Sequence, residues 1–256
     1  MNKIKCLTNF DLKIICIILM VGDHLYDAFV EQGAPTILTI LGRIVAPVFI
    51  FLTVEGYHYT RSKFKYMLNL LLFFWITKIT IILITNALPN DNLVLINSMM
   101  GTLFLGVLSM WAWDSMFLYK TKKSQFFLGI IAWAFIILAP IFTVFLMSLF
   151  SSNILLLNLI LFVPTVNSVE GGFLFVLLAL LMHIFKFNRY IQCSLILALA
   201  LLCFFTGNVI QSFMFLSAIL VFMYNGKKGK GMKWFFYVFY PVHIAIIYIL
   251  ATIINK

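Results

Sequence analysis

The sequence predicts an all-α polytopic membrane bundle of about nine transmembrane helices, within a range of about eight to ten. Three observations carry this. The residues are 64% hydrophobic and only 10% charged, with a mean hydropathy of +1.10. Apolar runs long enough to cross a bilayer recur along the chain. The basic residues fall in short clusters between those runs. A soluble domain carries roughly 25% charged residues, whereas a helix needs about 20 predominantly apolar residues to span the hydrocarbon core.

The net charge of +10 does not point to nucleic acid, because clusters between apolar runs are the pattern of cytoplasmic loops in a membrane protein. The bilayer is the expected partner. Cys6, Cys16, Cys193 and Cys203 show no metal-ligand spacing and mostly sit in apolar runs, where cysteine behaves as a small hydrophobe. No metal is expected.

Run length and turn signals place spans at 12–30, 39–59, 66–86, 93–114, 126–147, 171–186, 190–206, 208–224 and 234–254. The start, Met1-Asn2-Lys3-Ile4-Lys5, shares its charge with a signal peptide. No small-x-small cleavage site follows, and Asp23, His24 and Asp27 interrupt the apolar core, so this is read as an uncleaved span. One set of connecting segments holds Lys3, Lys5 and Lys13; Arg61, Lys63 and Lys65; Lys120, Lys122 and Lys123; Lys186 and Arg189; and Lys227, Lys228, Lys230 and Lys233. The alternate set is nearly devoid of basic residues, with Lys256 the exception. Positive charge marks the cytoplasmic side, which puts the N-terminus inside and the C-terminus outside.

Ile154 to Val163 is too short to cross, and Pro164 and Glu170 follow. Parity makes 148–170 begin and end on the outer side. It is read as a short interfacial or re-entrant helix near 154–163, tolerable only where protein or water satisfies its backbone. With no repeat, low-complexity tract or soluble insert, residues 1–256 read as one domain.

Ionisable groups at membrane depth are costly and are functional candidates by default. The first span carries Asp23, His24 and Asp27, which one helix face can gather. The second carries Arg43 near its outer end and Glu55 and His58 near its inner end, about 18 Å or more away at ~1.5 Å per residue. Lys78 lies in the outer half of the third span. Asp23 and Arg43 fit a structural ion pair between helices as well as a reactive site. His24 with a carboxylate, Asp23 or Asp27, fits general-base chemistry, because the carboxylate orients the ring and stabilises its protonated form. Glu55 and His58 suit ligand binding, although His58 also fits a side chain snorkelling to the cytoplasmic interface. His183 beside Lys186 reads as interfacial. His243 follows Pro241, whose missing N–H frees backbone groups for a cavity. These residues fit an enzyme and a proton-coupled transporter alike.

Leu12-Lys13-Ile14-Ile15 leading to Asp23-His24 resembles the opening of the TraX family. The run from Gly42-Arg43-Ile44-Val45-Ala46-Pro47 through Glu55-Gly56 to His58, Thr60, Arg61 and Tyr66 is similar to its second segment. Phe235-Phe236-Tyr237-Val238-Phe239-Tyr240-Pro241-Val242-His243 is similar to its closing motif. Thr102-Leu103-Phe104-Leu105-Gly106 and Gly171-Gly172 fit more loosely. Where the family usually carries a Ser-Glu-Ile-Pro-like motif, this chain has Thr77-Lys78-Ile79-Thr80, reversing the local charge.

The resemblance implies a membrane-bound, acetyl-CoA-dependent acyltransferase of the bacterial cytoplasmic (inner) membrane, and above all an N-acetyltransferase. Acetyl-CoA would be the donor substrate, and the acceptor an exported or membrane-embedded peptide, pilin or glycan. It implies His24 as the base, with Asp23, Arg43 and Glu55 in the site. Arg61, Lys63 and Lys65 would meet the anionic nucleotide end of the donor, and Arg43 or Lys78 the oxyanion. The alternatives are a proton-coupled transporter and a non-catalytic component of pilus or secretion assembly.

Overall fold

The computed structural model describes residues 5–90, 93, 99–117 and 123–254, without the Lys233 side chain. Lys3, Lys120, Lys122, Lys256 and residues 94–98 of the expected fourth span lie outside the described residues. The helices are α1 (Asn9–Phe29), α2 (Ile37–Gly42), α3 (Val45–Tyr59), α4 (Lys63–Ala87), α5 (Met99–Phe117), α6 (Lys123–Leu149), α7 (Ile154–Ile160), α8 (Gly172–Ile184), α9 (Arg189–Phe205), α10 (Val209–Ser212), α11 (Ser217–Met223) and α12 (Lys233–Ile254). Short 3₁₀ turns cover Val30–Gln32 and Phe213–Leu216. Among the described residues there is no strand, only an isolated parallel bridge between Leu7 and Tyr224.

Each expected span meets helix, and the short helix near 154–163 appears as α7. Four helical stretches are long and apolar enough to cross a membrane: 37–59, 63–87, 123–149 and 234–254. The nine-span count is not established by length and composition. On α6, Ile130, Ile131, Ile137, Leu138, Ile141 and Phe142 are exposed, an apolar surface of the kind a bilayer covers.

Two expected spans are broken. Span 39–59 is split at Arg43-Ile44 into α2 and α3. Pro47 has no N–H to offer the carbonyl four residues back, at Arg43, and its ring crowds that position. The last turn of α2 tightens instead, with Ile44 N donating to Leu41 O at 3.2 Å. Span 208–224 is split by the 3₁₀ turn. There the Ser212 and Ser217 hydroxyls donate to the carbonyls of Val209 and Met214, at 2.6 and 2.7 Å, local bonds that compete with a regular helix.

The chain forms two compact units. The first comprises residues 1–52, 76–96 and 185–256. Here α1 packs on α2 and α12, and α9 on α10 and α11. Thr8 and Asp11 form a capping box at the start of α1, and the Asn9 and Phe10 N–H groups donate to the Lys227 and Lys228 carbonyls. This satisfies helix-end donors that would otherwise lack partners. Ala28, Ile247 and Ala251 form a core against which Val21, Leu25 and Phe29 pack.

The second unit comprises 53–75 and 97–184. Its centre is α5, apolar around most of its circumference and mostly buried, as a helix surrounded by others must be. It packs on α6 and α8. Two backbone carbonyls in the segment between α7 and α8 are met by side chains from other helices. The Trp75 indole donates to Phe162 O at 2.9 Å and the Thr102 hydroxyl to Glu170 O at 2.7 Å. A Cβ on Gly106 would lie 2.9 Å from the Ala179 Cβ, so α5 and α8 approach closely only with glycine there. Gly106→Val is expected to destabilise this unit by about 1–3 kcal/mol through overpacking, read as a lower melting temperature in detergent. An unchanged melting temperature would refute the α5–α8 contact.

Candidate functional site

In the first unit, α1 and α2 are joined through Asp23 and Arg43. Arg43 Nη2 donates to both carboxylate oxygens of Asp23, each at 2.6 Å. Arg43 Nε donates to Thr39 O at 3.2 Å, and Nη1 to Gln211 Oε1 at 3.3 Å. Gln211 is held by the turn it belongs to, since the Asn208 side chain accepts from its N–H at 3.1 Å and caps α10. Three structural features thus meet on one guanidinium: the ion pair, the tightened end of α2, and a capped four-residue helix. Gly42 makes the approach feasible, because a Cβ there would fall 2.3 Å from Asp23 Cγ and 2.5 Å from its Cβ.

With Asp23 engaged by Arg43, the carboxylate facing the His24 ring is Asp27, at 4.0 Å from Nδ1. That is too long for a hydrogen bond, and the Asp27 side chain is 61% exposed. The ring of His243, on α12, lies beside that of His24, with centroids 5.2 Å apart and planes tilted by 38°. His243 is 5% exposed. Its Nδ1 lies 2.8 Å from Phe239 O. A carbonyl only accepts, so Nδ1 carries the proton and the Nε2 lone pair is left available. Phe239 stacks on the His243 ring at 4.9 Å, and Tyr240 meets it edge-on at 5.7 Å. Lys78, expected near this layer, lies half-buried on α4.

The second unit holds a separate polar cluster. Asp114 on α5 and His183 on α8 are 4% and 3% exposed, and His183 Nε2 lies 2.8 Å from Asp114 Oδ1. The Tyr57 hydroxyl donates to Asp114 Oδ2 at 2.8 Å. His183 Nδ1 is 3.3 Å from His58 Nε2, and the two rings are parallel within 2°. An ionised Asp114 accepts from both Tyr57 and His183, which turns the His183 Nδ1 lone pair toward an N–H of His58. The result is a carboxylate–imidazole–imidazole chain. His183, read from the sequence as interfacial, is buried within the protein, and His58 pairs with it. The reason is Asp114, which two donors can satisfy without water.

Glu55 is buried near the C-terminal end of α3, and Arg61 is exposed beyond it. The Lys63 ammonium donates to the Tyr57 and Thr60 carbonyls, closing the C-terminus of α3, and lies over the Tyr57 ring at 4.4 Å. Cations are favourable at that helix end.

Sequence reasoning missed Asp114, Tyr57 and Gln211. Asp114 carried a usable signal, as the single charged residue in the apolar run Met99–Phe117. Gln211 carried none, because its role depends on an Arg far away in the chain.

Three substitutions test these geometries. Gly42→Ala is expected to push α1 from α2 and to lower stability by about 1–3 kcal/mol; a wild-type melting temperature would contradict the close approach. Asp114→Ala leaves two buried donors unpaired, at about 1–3 kcal/mol each. Tyr57→Phe removes a single hydrogen bond worth about 1 kcal/mol. Thermal unfolding in detergent should therefore rank Asp114→Ala well below Tyr57→Phe, and equal losses would contradict the shared carboxylate.

No curated protein and no solved structure matches the chain. Residues 9–251 match the family model described as TraX protein. That match runs through α1 to α12 and includes every residue of both polar clusters, so the chain belongs to the TraX family.

Proposed function

We propose that this chain is an integral membrane acetyltransferase, moving an acetyl group from acetyl-CoA to an amine or hydroxyl acceptor. The favoured acceptor is the N-terminal amine of an exported or membrane-embedded peptide or pilin; a glycan hydroxyl obeys the same chemistry. The observation that carries the reading is the convergence of Asp23, His24, Arg43 and His243, from three distant segments, within one unit. Acyl transfer to an amine needs a buried base, and an imidazole is suited to that work near neutral pH. The family resemblance supports acetyl transfer over other acyl chemistry.

In this scheme the acceptor nitrogen attacks the thioester carbonyl and His24 takes its proton. Asp27, on the His24 side of α1, stabilises the imidazolium at a distance. The C–S bond then breaks, and the coenzyme leaves as a thiol after receiving that proton. Arg43 acts as the positioning residue, since its fork is engaged by Asp23, Gln211 and Thr39. Arg61 and Lys65, exposed in the loop after α3 and at the start of α4, attract the anionic nucleotide of the donor. Lys63 adds its charge there while capping α3, and Glu55 and His58 belong to the donor side. Nine spans, with the N-terminus in the cytoplasm of a bacterial inner membrane, satisfy the alternation of basic loops.

A second reading has its own observation. The buried Asp114–His183–His58 chain is the kind of group that carries protons in a coupled transporter. Substrate flux into proteoliposomes driven by a proton gradient, without acetyl-CoA, would select it. The acetyltransferase reading is tested by intact-mass analysis of exported peptides from cells expressing wild-type or His24→Ala protein. Acetylated product should fall by about 100-fold or more in the variant; undiminished product would exclude His24 as the base.

A further inference from the structure

We infer that His243 is the second half of a two-imidazole proton relay with His24, its Nε2 holding the proton that acyl transfer releases. The inference rests on the acetyltransferase reading and deepens it. His243 Nε2 is a buried nitrogen with no hydrogen-bond partner among the described residues. A buried polar atom left unpaired costs about 1–3 kcal/mol, and such atoms in native proteins call for an explanation. A histidine retained only for packing would be better replaced by an apolar ring at this 5% exposed position.

The surroundings prepare that nitrogen for one task. The bond from Nδ1 to Phe239 O fixes the tautomer and leaves Nε2 as an acceptor. Phe239 stacked on one side and Tyr240 edge-on hold the ring in place. The nearest imidazole is His24, 5.2 Å away between ring centroids. The Asp27 carboxylate stands 4.0 Å from His24 Nδ1, on the same helix.

The step balances without another reactant. The acceptor nitrogen forms its bond to the acetyl carbon, and the C–S bond of the thioester breaks. The proton lost from nitrogen passes to His24, which gives up its other ring proton to Nε2 of His243. Return along the same path protonates the departing thiolate sulphur, and both rings end neutral as they began.

The test uses purified full-length protein in detergent, acetyl-CoA labelled in its acetyl group, and a synthetic peptide with a free N-terminal amine. His243→Asn keeps a donor near the Nδ1 position for Phe239 O and removes the base. His243→Gln serves if the first variant does not fold. The expected result is a loss of peptide acetylation by about 100-fold, with wild-type coenzyme A binding and melting temperature. His24→Asn should lose a similar factor, and the double variant should be no worse than either single one, because residues that act as a unit are not additive. Acetylation within about threefold of wild type in the folded His243 variant would overturn the relay. So would a double variant whose loss is the product of the two single losses. If wild-type protein binds coenzyme A yet transfers no acetyl group, the acetyltransferase reading fails and the relay falls with it, a result distinct from failure of the His243 variant alone.

Discussion

The Asp23–Arg43 ion pair is the interaction on which the first unit depends. It lies in helices read as crossing a membrane, where an unpaired charge is severely penalised, so each group obliges the other to be near. That obligation explains local features that look unrelated. Gly42 has no Cβ because the carboxylate of Asp23 occupies that space. The helix breaks after Gly42 because Pro47 cannot serve the Arg43 carbonyl, and the break leaves the Arg43 side chain free to fold back on Thr39 O. Asn208 caps a four-residue helix whose Gln211 completes the guanidinium's set of acceptors.

By taking Asp23, the pair also changes what surrounds His24. The sequence offers Asp23 and Asp27 alike as partners of the imidazole, and neighbouring residues on a helix diverge by about 100°. With Asp23 directed to Arg43, the His24 ring is bordered by Asp27 and by His243. The centre is therefore better described as two imidazoles beside a neutralised ion pair than as a single His–Asp couple.

The second unit solves the same problem with different groups. Asp114 is buried in an apolar helix, and its two oxygens are met by a phenol and an imidazole contributed by α3 and α8. His58 extends the chain by one ring. In both units, the buried carboxylate is met by groups contributed by other helices, which ties the positions of those helices to one another.

Much of this was legible in the sequence. Apolar run length located the helices, because a period of hydrophobicity is a local property. The cost of burying ionisable groups singled out Asp23, His24 and Arg43 without any knowledge of their neighbours, and Pro241 marked where backbone groups would be freed beside His243. The tertiary structure alone decided who pairs with whom. Arg43 pairs with Asp23 and Gln211, His183 with Asp114, and His243 lies beside His24. Those choices join residues far apart in the chain, and hydrogen-bond geometry between separate helices leaves no trace in the spacing of residues along either one.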